Sequence, residues 1–216
     1  MLAVGPNDVQ CVWVTNTFSP GAVRYTTDGG HTWINPLGGE LLSQTFCWII
    51  LTGDELNGVY LGTNDGARVY YKDDSMTEWM DYSQGLNPGA RLTRLVPFYK
   101  DGKLRAATNQ GIWEIPLVRQ DFRPVAQPIA LNLGNGDLTD NPGKEVWLDS
   151  YSIVKHEPGT RWHWSFSPQP VSVSNPEVRN PKVVFGRPGS YDVTLTITTP
   201  SGKTHSRTVK DMIQIK

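Results

Sequence analysis

The chain is poor in the features that usually announce a chemistry. It has only two cysteines, Cys11 and Cys47, and neither lies in a CxxC pair, which argues against a metal or redox role. Both sit in apolar, strand-like surroundings, so two buried free thiols are expected; a disulfide would need their Cα atoms within about 7 Å. Charged residues make up 19% and the formal net charge is −1. With no basic cluster, nothing points to nucleic acid. No run approaches the roughly 18 apolar residues of a membrane-spanning helix; the longest, Cys47-Trp48-Ile49-Ile50-Leu51, is strand-length. The start, Met1-Leu2-Ala3-Val4-Gly5-Pro6, lacks the basic region and apolar core of a signal peptide. It reads as a start in mid-fold, so the chain is expected to be a fragment of a longer protein. His31, His156, His163 and His205 are scattered, with no HExxH, and GxSxG, P-loop and dinucleotide patterns are missing too.

Helical periodicity is also lacking, and short strands take its place. Twenty-one glycines and sixteen prolines are spread along the chain, as turns between strands require. In the first part, strands are expected at Val9–Thr15, Val23–Thr26, Thr45–Leu51, Gly58–Thr63, Val69–Lys72, Thr93–Tyr99, Leu104–Thr108 and Gly111–Ile115. Residues 118–128 carry two prolines and no period, as a short linker would. This gives two domains, 1–122 and 123–216.

The sharpest motif in the first is Thr26-Thr27-Asp28-Gly29-Gly30-His31-Thr32-Trp33. An Asp carboxylate there can accept N–H bonds across a tight turn, glycine supplies positive φ, and the Trp ring is expected to pack between neighbouring sheets. A weaker echo runs from Tyr71 to Trp79 and a third from Ala107 to Glu114. Trp33, Trp79 and Trp113 stand 46 and 34 residues apart, the first spacing within and the second somewhat short of the roughly 40–50-residue period of propeller blades. At Thr26, Asp28, Gly30, Thr32 and Trp33 the motif resembles the Asp-box of sialidase-like (BNR-repeat) β-propellers. The resemblance implies a structural role for these five residues, away from any active site. Asp28 with Asp54 or Asp65 could also be imagined as a hydrolytic carboxylate pair, but the spacing does not favour it. Arg24, Arg68, Arg91, Arg94 and Arg105 lack the family context of a carboxylate-gripping triad. About two and a half blades fit in this part, against four to eight in a closed propeller.

The second domain alternates. Tyr191, Val193, Leu195 and Ile197 share one side of a strand whose other side is Asp192, Thr194, Thr196 and Thr198. Trp162, Trp164 and Phe166 form another apolar row. About seven short strands in about 90 residues suit an immunoglobulin-like sandwich. Trp162–Pro168, Asn180–Phe185 and Pro188–Leu195 together resemble a PKD domain, with Ser167-Pro168 where the family's usual G-D-G turn stands. That resemblance implies a bacterial secreted or cell-surface setting and a spacer or accessory role beside other domains of a parent protein. Trp147 lies between Val146 and Leu148, so it should face outward and is the candidate contact residue for a polysaccharide or protein ligand.

The expected fold is therefore all-β: a partial β-propeller of two to three blades, then a PKD-like sandwich. The expected function is that of a non-catalytic extracellular segment. The alternatives are the C-terminal part of a propeller glycoside hydrolase and a carbohydrate- or protein-binding module. No catalytic residue and no cofactor are assigned, beyond oxygen ligands for a surface Ca²⁺ at Gly134-Asn135-Gly136-Asp137 and Asp140. An open propeller edge would allow a homo-oligomer.

Overall fold

A computed structural model describes residues 1–63, 66–131, 133 and 139–216. The described residues are all β, with one 3₁₀ turn at Gly39–Ser43, arranged in several separate sheets of which none closes on itself. The chain divides into two compact units, Met1–Arg123 and Pro124–Lys216; the sequence places the boundary at residue 122.

The first unit holds three sheets. The first consists of β1 (Leu2–Val4), β2 (Val12–Thr15) and β3 (Val23–Thr26), with an isolated bridge from Tyr25 to Ile34 on its outer edge. The second consists of β4 (Phe46–Leu51), β5 (Val59–Thr63), β6 (Val69–Lys72) and β7 (Met80–Asp81). The third consists of β8 (Leu92–Phe98), β9 (Lys103–Thr108) and β10 (Gly111–Pro116). All pairings are antiparallel and follow chain order, so each sheet is a meander built from one contiguous stretch of sequence. Strand β2 is shorter than the expected Val9–Thr15. Asp8 accepts the Gln10 N–H on its side chain and the Cys11 N–H on its carbonyl, a turn that leaves Val9 74% exposed.

Sheets of three or four short strands are marginal alone and gain stability by burying a face. Trp13 and Val23 of the first sheet pack with Phe46, Ile49, Val59 and Leu61 of the second. Second and third sheets meet at Gly62, where an added Cβ would lie 2.7 Å from Leu92 Cδ2 and 3.1 Å from Trp48 Cβ. The glycine in the middle of β5 is thus a close-approach position. Between these sheets Tyr60, Tyr71 and Tyr82 form a ring cluster with centroids 4.8–6.4 Å apart. Burial drives the Tyr60 and Tyr71 hydroxyls well above the ordinary tyrosine range.

Two four-stranded sheets make the second unit. One is β11 (Pro128–Ala130), β13 (Glu145–Ser150), β16 (Lys182–Val184) and β15 (Ser172–Val173), in that spatial order. The other is β12 (Thr139–Asp140), β18 (Thr204–Ile215), β17 (Gly189–Thr198) and β14 (Arg161–Ser167). Val146, Leu148, Val183 and Phe185 of one side share a buried cluster with Trp164, Phe166, Val193, Leu195 and Ile197 of the other. The period-two pattern of β17 puts Tyr191, Val193, Leu195 and Ile197 into that core. Its other side forms a hydroxyl ladder with β18, Thr194–Thr208, Thr196–Ser206 and Thr198–Thr204 at 2.7–3.2 Å. Trp162 joins the expected aromatic core row only in part, packed against the cluster from a half-buried position. It lies edge-on to His156, whereas Trp164 is 2% exposed and donates to the Val178 carbonyl.

Gly62→Ala should lower stability by about 1–3 kcal/mol, the usual cost of overfilling a packed site. Urea unfolding monitored by tyrosine and tryptophan fluorescence measures it, and an unchanged midpoint would contradict the close sheet contact.

Candidate functional site

The Asp28 turn is built from side chain to backbone. Thr26 Oγ1 accepts from the N–H groups of Asp28 and Gly30, at 3.2 and 3.0 Å, and donates to Asp28 Oδ1 at 2.6 Å. Asp28 also accepts from the Thr32 N–H at 3.0 Å and the Thr32 hydroxyl at 2.6 Å. Gly29 and Gly30 take φ of 70° and 99°, which explains their chemistry at the tip. These bonds from Thr26 and Thr32 hold the Asp28 carboxyl well below the usual carboxylate range.

The same device recurs twice nearby. Asp54, 1% exposed, accepts from the Thr52 hydroxyl at 2.6 Å and from the N–H groups of Leu56 and Gly58 at 2.9 and 3.2 Å. Asp73, 8% exposed, accepts from the Tyr71 hydroxyl and from the Ser75 N–H and hydroxyl. Burial works to raise the Asp73 carboxyl, but the Ser75 and Tyr71 bonds outweigh it and the net shift is downward. In all three, a hydroxyl two residues upstream donates to the carboxylate. The sequence reading missed Asp54 in this role, although Thr52-Gly53-Asp54 repeats the Thr-x-Asp of Thr26-Thr27-Asp28.

Trp33 departs from its expected place between sheets. It is 44% exposed, and its indole N–H turns back to the Gly30 carbonyl at 3.0 Å. The tryptophans that do bridge are Trp79, which donates to the Pro36 carbonyl and lies edge-on to Trp13, and Trp113, which donates to the Gln84 carbonyl. Trp33 is not part of the cluster that joins the first and second sheets, whereas Trp79 packs against it.

Between first and second sheets lies an open cleft of about 610 Å³, lined by Trp13, Tyr25 and polar loop residues. Those polar groups are already at work holding loops. Asn7 donates to the Gly53 carbonyl, Asn35 Oδ1 accepts from the Leu37 N–H, Asn57 donates to Asp74, and Arg123 pairs with Glu55. Cys11 also lines it, and burial pushes its thiol up, which makes it a poor nucleophile at neutral pH. Neither cysteine is in a disulfide, and both are half-buried where full burial was expected.

The carboxylate pair imagined for hydrolysis is not assembled. Asp28 and Asp54 serve separate turns, and Asp65 lies outside the described residues. The arginines disperse as well: Arg24 donates to its own Gly21 and Val23 carbonyls, Arg68 pairs with Asp81, Arg94 lies over Trp48, and Arg105 pairs with Asp101 and Glu114. The histidines are equally apart; His31 contacts the Asp28 carbonyl, His163 meets Glu177, and His205 accepts from the Ala126 N–H. Among the described residues no group of three His, Cys, Asp or Glu side chains comes together. The Ca²⁺ expectation at 134–137 falls outside the described residues; Asp140 accepts from the Asn141 N–H and pairs with Lys144.

In the second unit Trp147 is 46% exposed on β13, between buried Val146 and Leu148. Lys182 on the neighbouring strand places its ammonium 5.0 Å from the ring centroid, and Glu145 accepts the indole N–H at 2.7 Å. Lys182 also pairs with Glu145 at 3.0 Å. Lys182 and Trp147 together hold the Glu145 carboxyl below its ordinary range. The ring is thereby fixed in orientation while much of it stays open to solvent.

No protein-family model matches the chain, and no curated protein matches it. Among solved structures it is similar to extracellular domains from B. thetaiotaomicron. Two are assigned to BT4673, as a one-component and as a hybrid two-component system, each at 10% identity over the whole chain, with TM-scores of 0.40 and 0.41. A third is that of the hybrid two-component system BT3049, at 10% identity over 95% of the chain, with a TM-score of 0.38. The chain spans about 30% of the length of each, and likenesses this distant carry no function across.

In a pH titration followed by carboxyl NMR, Asp28 should titrate well below the roughly 3.9 of a free aspartate. Because its folded-state value is depressed, its contribution to stability is present above about pH 4 and is lost as pH falls further. A midpoint near the free value would contradict the turn geometry.

Proposed function

We propose that the chain is a non-catalytic segment of a larger extracellular bacterial protein. Residues 1–123 are three stacked blades of an incomplete Asp-box β-propeller, and residues 124–216 are a PKD-type sandwich that serves as spacer and accessory contact module. The observation that carries the reading is the employment of the acidic groups. Asp28, Asp54 and Asp73 are each consumed in fixing a turn, which leaves them unsuited to act as nucleophile or general acid. The three sheets share one plan, with strands paired in chain order and a carboxylate-held turn before the outer edge in the first two. This is the repetition expected of blades. Residues 124–216 add the two-sheet core and the alternation of an immunoglobulin-like module.

The accessory surface is the outward face around Trp147. An exposed indole, oriented by Lys182 and Glu145, offers the flat apolar area with polar neighbours that a polysaccharide ring stacks on. The purified chain should release no product from sialosides or other aryl glycosides. It should be retained on an insoluble polysaccharide, and Trp147→Ala should cut that retention about tenfold, a loss of roughly 1.4 kcal/mol. Hydrolysis that disappears in Asp54→Asn with the fold intact would overturn the non-catalytic reading. Retention unaltered by Trp147→Ala would overturn the assigned surface.

A further inference from the structure

The cleft of about 610 Å³ between the first and second sheets has the size of a small-molecule site. It lies wholly within residues 1–123, and three loops frame it: the one joining β1 to β2, the one joining β4 to β5, and the turn that follows β6. One wall is aromatic. Trp13 and Tyr25, cross-strand partners on β2 and β3, stack with centroids 4.8 Å apart and planes 18° apart. Ile34, Leu51 and Val59 add apolar surface. The Tyr25 hydroxyl has no hydrogen-bond partner among the described residues.

The charged groups of the lining differ in what they have left to offer. Lys72 gives its ammonium to the Thr77 carbonyl at 2.7 Å, and Arg123 pairs with Glu55 at 3.2 Å. Asp73 is spent on Tyr71 and Ser75. Asp8 and Asp74 are each used on one oxygen only. Asp8 Oδ1 accepts the Gln10 N–H at 2.9 Å, and Asp74 Oδ2 accepts the Asn57 amide at 2.6 Å. The second oxygen of each carboxylate meets no donor among the described residues. Both carboxylates add to the upward push on the Cys11 thiol, which lines the same cleft, so their fields overlap inside it.

That combination selects one ligand chemistry. An anion would face two open carboxylates while both lining cations are engaged elsewhere. A metal ion would need a group of side-chain ligands that the described residues do not bring together. A neutral molecule would desolvate the two carboxylates and return no charge to them. A primary ammonium supplies three donors and a positive charge, and an aromatic wall attracts a cation as well as an apolar body.

We propose that this cleft binds a small organic cation, a primary ammonium carried on an apolar body, with Asp8 and Asp74 holding the ammonium and the Tyr25–Trp13 wall receiving the body. Benzylamine and benzyl alcohol share a ring and differ in the ammonium, so they serve as matched probes. Titrated into the isotope-labelled 216-residue chain, benzylamine should shift the Trp13 indole N–H resonance, and benzyl alcohol should bind at least about tenfold more weakly. Asp8→Asn and Asp74→Asn keep an oxygen for the Gln10 and Asn57 donors, and each should weaken benzylamine about tenfold. Should either fold poorly, Tyr25→Phe removes only the unpartnered hydroxyl and should weaken it about fivefold. Asp101→Asn, which deletes the same charge beside Arg105 on the third sheet, should leave the affinity unchanged. No shift at Trp13, equal affinity for the alcohol, or a loss in Asp101→Asn as large as in Asp8→Asn would each overturn the proposal. Retention on polysaccharide through Trp147 is a separate property of the second unit and stands or falls independently.

Discussion

The first unit depends on one short-range interaction: an aspartate carboxylate, fixed by a hydroxyl two residues earlier, accepting the backbone N–H groups of a turn. Thr26 with Asp28, Thr52 with Asp54 and Tyr71 with Asp73 are three instances. Each closes a loop whose N–H groups would otherwise lack partners. At Asp54 the demand is strongest, because the group is 1% exposed and Leu56 and Gly58 look to it. Every donor orphaned there would cost about 1–3 kcal/mol. With the turns set, the first two meanders hold their register, and only then do flat faces exist for Trp13, Phe46 and Tyr60 to fill.

This use of acidic residues shapes what the molecule can do. Side chains that resemble catalytic groups in a sequence are already saturated with hydrogen bonds in the fold, and the cleft between first and second sheets is lined by amides that tie loops together. Open to solvent in the first unit is the aliphatic side of the first sheet, and in the second the braced ring of Trp147; recognition through that ring is the role we propose for it.

Much of the fold was legible because its information is local. The strand at Tyr191–Thr198 follows from strict alternation, and the Asp28 turn from its five-residue motif. Val23–Thr26 and Val69–Lys72 were read to the residue. Asp54 is easy to pass over, although its Thr-x-Asp spacing is in view, because the Gly-Gly pair and the tryptophan that follow Asp28 have no counterpart after Asp54. The exposure of Trp33 could not be read from its motif at all. The same residue type before the same kind of edge packs against the cluster of the first and second sheets at Trp79 and not at Trp33. Trp147 was placed outward by its buried neighbours, but its Lys182 and Glu145 braces come from strand pairing, which local sequence does not specify.

The central claim is that hydrogen-bonded carboxylates hold the turns and thereby the first two sheets. Native-state amide hydrogen exchange on Asp54→Ala tests it most directly. The claim predicts that Leu56 and Gly58 lose protection first, with the loss spreading to β4 and β5, while the strands of the second unit keep theirs. Unchanged protection at Leu56 and Gly58 would contradict it.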